Sequence, residues 1–146
     1  MPDDDLSRRL LDELDVRRVM QDYARLVDDD DWPGVRALFA DDAYVQGSRF
    51  EGPIEDYLPR LQELCQRRPT WFHFVGNQVT TFDTDGATVE TYLVSRSFLD
   101  RAGAQPASKG GLRYTDRLRR TAEGGWEVVH RRVVSVWRWE APPIGG

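Results

Sequence analysis

Cysteine occurs once, at Cys65, in a chain of 146 residues. A single thiol excludes an internal disulfide and any cysteine-based zinc cluster. Histidine occurs only as His73 and His130. Two imidazoles without thiolates, and without a His-x3-His spacing, give no reason to expect a metal site. Positive charge is in deficit, with 20 basic against 25 acidic side chains and a net charge of −5. Nucleic acids and anionic membranes are recognised through a basic footprint, so neither is an expected partner. No apolar run approaches the roughly 20 residues of a membrane span. The opening residues, MPDDDLSRR, lack the basic-then-apolar order of a secretory leader, and a cytoplasmic chain is expected. A glycine-rich phosphate loop is also missing, which suits a mechanism without a cofactor. The absence of a Gly-x-Ser-x-Gly elbow argues against a serine hydrolase.

What is present suits one globular domain. Hydrophobic residues make up 40% of the chain and aromatics 11%, enough for a core. No linker or internal repeat divides it, so 1–146 reads as a single domain with a mobile tail from about Ala141. The first part has helical period. Leu6, Leu10, Leu11, Leu14, Val16, Val19, Met20, Tyr23, Leu26 and Val27 recur at three- and four-residue steps, predicting one apolar stripe. Asp3 to Asp5 place negative charge at the start of that helix, and the run Asp28 to Asp31 closes it. Trp32-Pro33 opens a short second helix, with Asp31 as its cap. Ala43 to Val45 reads as a short strand and Glu51-Gly52 as a turn. A third helix then carries Ile54, Tyr57, Leu58, Leu61 and Leu64 and stops before Pro69.

From Thr70 onward the pattern is that of strands. Trp71 to Phe82, Ala87 to Leu99, Leu112 to Thr121 and Trp126 to Trp139 are rich in aromatic and β-branched residues. Turn signals at Asp85-Gly86 and Glu123-Gly124-Gly125 separate them, together with a loop over Arg101 to Lys109. Helices followed by a meander of long strands predict an α+β fold, with helices on one face of a mostly antiparallel sheet.

Several short motifs fall in a particular order. A helix ends Tyr23-Ala-Arg-Leu-Val-Asp28 and is followed by Asp31-Trp32 and Leu38-Phe39-Ala-Asp41-Asp42-Ala43. Phe50-Glu-Gly52-Pro53 leads into the third helix. His73-Phe-Val-Gly76-Asn77, Asp85-Gly86-Ala87, Glu90-Thr91-Tyr92, Tyr114-Thr-Asp116-Arg117-Leu118, Gly125-Trp126-Glu-Val128 and Arg131 follow. In this order the chain resembles the SnoaL-like branch of the nuclear transport factor 2-like superfamily over about residues 8–139. The resemblance implies a cone of three helices and a curved sheet around an internal pocket. Relatives in that superfamily include scytalone dehydratase, bile-acid 7α-dehydratase, dehydrochlorinases, ketosteroid isomerases, polyketide cyclases and dioxygenase small subunits, and some proteins without catalysis. The fold therefore does not choose the function.

The resemblance implies a catalytic pair, Asp28 and His73, at the positions of the aspartate that ends the first helix and the histidine of the first long strand. A neutral imidazole can abstract a proton beside a carbonyl or a leaving group, and the carboxylate fixes its tautomer and stabilises the imidazolium. The bland alternative is a solvated Asp28 and a core His73. Tyr23 matches the bile-acid dehydratase type, in which a tyrosine polarises the substrate oxygen; otherwise it belongs to the apolar stripe. Tyr44, Tyr92 and Tyr114 lie on strands that line or flank a cone and are expected at a substrate as wall. Among the aromatics at Trp71, Phe72, Phe74, Phe98, Trp137 and Trp139, some should line an apolar pocket and most should be core. Asn77 lies four residues after His73, so strand alternation puts both on one face, where Asn77 could hold a substrate oxygen. Arg131 matches the family arginine and either pairs with an acid or binds an anionic group. His130 is expected at the surface or an interface.

Two readings follow. One is a cofactor-independent lyase or isomerase acting on a small hydrophobic cyclic substrate through Asp28 and His73. The other is a binding or assembly module similar to a dioxygenase small subunit. Either is expected as a homodimer or higher homo-oligomer formed through the outer sheet face.

Overall fold

The architecture is taken from a computed structural model, which describes residues 2–142. Three helices and six strands follow in the order α1 (Pro2–Asp28), α2 (Trp32–Ala37), β1 (Phe39–Gln46), β2 (Glu51–Pro53), α3 (Ile54–Arg67), β3 (Thr70–Phe82), β4 (Ala87–Phe98), β5 (Pro106–Arg120) and β6 (Trp126–Glu140). The strands form one open sheet in the order β2-β1-β6-β5-β4-β3. Every neighbouring pair is antiparallel except β1 and β6, which run parallel. This is the α+β arrangement that the residue pattern predicted and the cone that the resemblance implied.

The boundaries differ from the sequence reading in three places. The strand expected over Ala43 to Val45 runs from Phe39 to Gln46, because β6 offers it a partner: Phe39 pairs with Val128 and Val45 with Arg131. Glu51-Gly52 is not a free turn but part of β2, held against Val45 and Gln46. The loop expected up to Lys109 gives way to β5 at Pro106, since β4 is long enough to pair Ser97 with Ser108 and Arg96 with Lys109. Ala141 still donates its N–H to the carbonyl of Ala107 at 2.9 Å. The rest of the tail expected to be mobile, residues 143–146, lies outside the described residues.

Local chemistry accounts for the helix ends. Asp3, Asp4 and Asp5 stand in the first turn of α1, where the helix dipole favours them. The Asp31 side chain accepts the N–H of Gly34 at 3.0 Å and so caps α2, with Pro33 in its first turn.

The core lies between the helices and the inner sheet face. Val16, Met20 and Val27 of α1, Val35 of α2, Ile54 of α3, and Val89, Leu118 and Val128 of the sheet are each no more than 2% exposed. Burying one such side chain contributes roughly 1.5–3 kcal/mol. The apolar stripe of α1 does not stay buried along its length. Leu6, Leu10, Leu11 and Leu14 are 54–60% exposed and stand outside the core cluster, where Arg120 of β5 reaches across to Asp12. The outer sheet face is also apolar and open at Phe72, Phe74, Val94 and Trp137. Gly111 is required by that arrangement: a Cβ there would stand 2.1 Å from the indole nitrogen of Trp137, its cross-strand neighbour. Among the described residues no helix is long and apolar enough to cross a membrane.

Candidate active site

A cavity of about 380 Å³ opens between α1, α3 and the inner faces of β3, β5 and β6. Its inner wall is apolar and aromatic, with Val27, Leu61, Trp71, Leu112 and Val133 among the lining side chains. The polar groups that reach this wall come from a few positions whose directions the backbone dictates.

Asp28 is the last residue of α1, and His73 is the fourth residue of β3. Alternation along β3 turns Trp71, His73 and Val75 inward and leaves Phe72 and Phe74 exposed. The Asp28 carboxylate grips His73 twice. One oxygen accepts the backbone N–H of His73 at 2.9 Å, and the other stands 2.5 Å from Nδ1 of the ring. The ring is further held by stacking on Trp71, with centroids 5.8 Å apart and planes inclined by 8°. In the neutral imidazole, a carboxylate on Nδ1 fixes the ring proton there and leaves the Nε2 lone pair available. The His73 side chain is 7% exposed and lines the cavity.

Tyr23 and Tyr114 are both buried on the cavity wall, 6.1 Å apart between ring centroids. Tyr57 of α3 joins them on the same wall. Burial is the main cause that pushes all three phenols up from their ordinary range, opposed by the nearby Arg131 guanidinium. They are therefore neutral hydroxyls, able to donate at physiological pH. Tyr57 was legible only as one member of the apolar stripe of α3. The available signal was a hydroxyl-bearing side chain on a stripe otherwise made of leucine and isoleucine.

Arg131 resolves the two alternatives that its motif left open. It is fully buried and pairs with Asp116 through two 2.7 Å contacts, one from Nε and one from Nη2. Its guanidinium carbon lies 4.1 Å above the Tyr23 ring and 4.9 Å from that of Tyr114. Burial alone would disfavour its charge, but the Asp116 carboxylate, by its charge and its hydrogen bonds, outweighs that and raises the pKa further, so Arg131 stays charged. It stands behind the tyrosines and does not line the cavity.

Three expected substrate-binding positions lie elsewhere. Asn77 is exposed because β3 slips register between Val75 and Gln78, which pushes Gly76 and Asn77 outward. Gln78 takes the inward direction in its place and donates to Thr91 at 3.1 Å and to the carbonyl of Arg17 at 3.2 Å. Tyr92 points out, since Thr91 and Leu93 on either side are buried, and lies under the Arg113 guanidinium. Tyr44 points out between the buried Ala43 and Val45, donates to Glu51 and stacks on His130. Cys65, which the sequence offered no reason to place, is on the cavity wall, and burial followed by the charges of Asp30 and Asp28 pushes its thiol up to about 12. Among the described residues no group of three or more histidine, cysteine, aspartate or glutamate side chains is disposed to hold a metal ion.

With this geometry in hand, the chain can be compared with known proteins. The sequence model of the SnoaL-like domain matches residues 8–132. The chain belongs to the SnoaL-like domain family. An uncharacterised protein of Mycobacterium tuberculosis is 26% identical to it over 125 residues, 82% of each chain. Solved structures share this SnoaL-like fold at lower identity. A Novosphingobium aromaticivorans protein provisionally named a scytalone dehydratase superposes with a TM-score of 0.80 at 19% identity, covering 97% of this chain and 98% of its own. The hexachlorocyclohexane dehydrochlorinase LinA-type3 of Novosphingobium barchaimii gives 0.78 at 16% identity, covering 93% and 94%. The Kfla4162 protein of Kribbella flavida gives 0.78 at 18%, covering 90% and 95%. These likenesses are of fold.

Proposed function

We propose that this SnoaL-like domain is a cofactor-independent lyase or isomerase that removes a proton from a small hydrophobic cyclic substrate. The observation that carries the reading is the double grip of Asp28 on His73, which leaves one imidazole nitrogen free on the wall of an apolar cavity. In this reading Nε2 takes a proton from a carbon next to a carbonyl or a leaving group, and Asp28 stabilises the resulting imidazolium. Charge then develops on a substrate oxygen, and the neutral phenol of Tyr23, backed by Tyr57 and Tyr114, donates to it. The likeness of fold to a protein named as a dehydrochlorinase is in keeping with an elimination. Loss of water, loss of halide and double-bond migration share this first step.

The test is turnover of a panel of cyclic β-hydroxyketones and enones by the wild type, His73→Ala and Asp28→Asn, with deuterium uptake from heavy water read by NMR. A loss of roughly 10²–10⁴ in both variants is expected while circular dichroism is unchanged. Full activity in both would overturn the reading. The exposed aromatic outer face at Phe72, Phe74 and Trp137 favours a second one, an assembly module, whose function would survive His73→Ala.

A further inference from the structure

The chain carries more acid than base, yet the entrance of its cavity is the reverse. Arg49, Arg60, Arg68, Lys109 and Arg138 all line the cavity, against one acidic side chain, Glu63. Glu63 is already engaged by Arg67, one helical turn on. Three of the cavity cations converge on a single carboxylate outside the lining. Arg49 reaches Glu140 at 3.4 Å and Arg68 at 3.7 Å, and Arg138 contacts it as well. Among the described residues Arg60 and Lys109 have no carboxylate partner. Their charges lie over the rings of Phe50 and Trp139 instead. The entrance therefore holds several positive charges that nothing in the fold neutralises.

The entrance cations differ from the buried Arg131. The side chains of Arg49 and Arg138 are 62% and 36% exposed, so both can turn toward a ligand. Arg68 is fixed: its side chain is 20% exposed and donates to Ser108 at 2.9 Å. Ser108 in turn shares a 2.8 Å hydrogen bond with the fully buried Ser97. Like charges crowded at one opening repel each other, and a cavity with low-dielectric walls focuses their field on whatever enters. The rest of the lining offers apolar and aromatic side chains, phenols, the Cys65 thiol, serine hydroxyls and the His73 imidazole. A molecule complementary to both ends is apolar at one end and negatively charged at the other.

We infer that the ligand of this cavity is an organic acid, whose ring enters toward His73 and whose carboxylate is held at the entrance by Arg68 with Arg60 and Arg138. This rests on the proposed function for the orientation of the ring but not for the charge of the tail. Glu140 engages Arg49, Arg68 and Arg138 and competes for them with the ligand carboxylate. The paired charges at the entrance orient the substrate and select the acid over its neutral derivatives, since an uncharged tail leaves the arginines with only Glu140.

The experiment compares two probes of equal shape, 2-naphthoate and naphthalene-2-carboxamide, with benzoate and benzamide as a smaller pair. Binding is read by calorimetry and by quenching of tryptophan fluorescence. The wild type is expected to prefer the acid by about tenfold at low salt, with the preference shrinking as ionic strength rises. Arg60→Gln, Arg68→Gln and Arg138→Gln combined remove the preference by lowering acid affinity to that of the carboxamide. Glu140→Gln tightens the acid alone, because the competing carboxylate is gone. His73→Ala keeps the preference, so a failure of the proposed proton abstraction does not mimic a failure of this inference. Equal binding of acid and amide overturns the inference. So does a preference that survives loss of the entrance arginines, or one that disappears in His73→Ala. Absence of acid binding up to about 10 mM overturns it as well.

Discussion

Arg131 and Tyr23 are packed face to charge, the guanidinium carbon 4.1 Å from the ring centroid, at a depth where both side chains are at most 2% exposed. The arrangement supports Tyr23 from behind while Asp116 holds the forward nitrogens of the guanidinium. It ties the stability of the core to the state of the phenols on the cavity wall.

The first prediction concerns that ion pair. Asp116→Asn leaves a full positive charge buried with a neutral partner, and Arg131→Met leaves the carboxylate alone. Each is expected to cost about 3–5 kcal/mol in urea unfolding. The double variant Arg131→Met, Asp116→Leu should recover much of that loss, because two apolar side chains leave no unpaired charge. Equal losses in the single and double variants would show that the pair contributes through packing alone.

The second prediction separates Tyr23 from the general base. Tyr23→Phe removes a buried hydroxyl from the cavity wall it shares with Tyr57 and Tyr114 and should cost about 1 kcal/mol of stability. On a substrate found by the panel above, kcat should fall by roughly 10–10³ with KM little changed, the signature of a donor used in the transition state. A raised KM with unchanged kcat would assign Tyr23 to the wall.

The third prediction concerns alkali. Tyr23, Tyr57 and Tyr114 have their pKa values raised in the fold, chiefly by burial. The unfolded chain ionises first, near pH 10. Their contribution to stability is thus complete below about pH 10 and is lost as pH climbs through the folded values above it. Spectrophotometric titration should show their phenolate absorbance appearing together with unfolding. Early, reversible ionisation of all the tyrosines in the folded state would contradict it.

The fourth concerns Cys65, whose thiol burial pushes up to about 12. Reaction with a disulfide reagent at pH 8 requires thiolate, so labelling should be roughly 10³-fold slower than for a free thiol and should accelerate on unfolding. Rapid labelling of the folded protein would mean that the cavity wall opens.

Much of this was legible in the chain, for reasons that differ from residue to residue. Asp28 and His73 could be singled out because they stand at the motif positions of the family that the chain resembles. Asp31 could be read as a cap from Trp32-Pro33 alone. Asn77 could not, because strand alternation holds only until the register slips, and here it slips at Val75 to Gln78. The exposure of Leu6 to Leu14 depends on how far the sheet extends beneath α1, which is a property of distant strands. The cations at the cavity entrance come from α3 and the residue that caps its end, the segment before β2, and the two last strands, and only folding brings them together.

The parallel pairing of β1 with β6 joins residues from opposite ends of the chain, Phe39 to Val128 and Gln46 to Arg132. During synthesis the three helices and the β3–β4 hairpin leave the ribosome before β6 does. Until then β1 has only the short β2 beside it, and one wall of the cavity does not exist. The nascent chain therefore carries Asp28 and His73 well before it has a vessel, with a hydrophobic seam and a bare strand edge exposed for the whole interval. That seam makes the last strand the step at which chaperone protection is needed and at which premature termination yields aggregate instead of a smaller working protein.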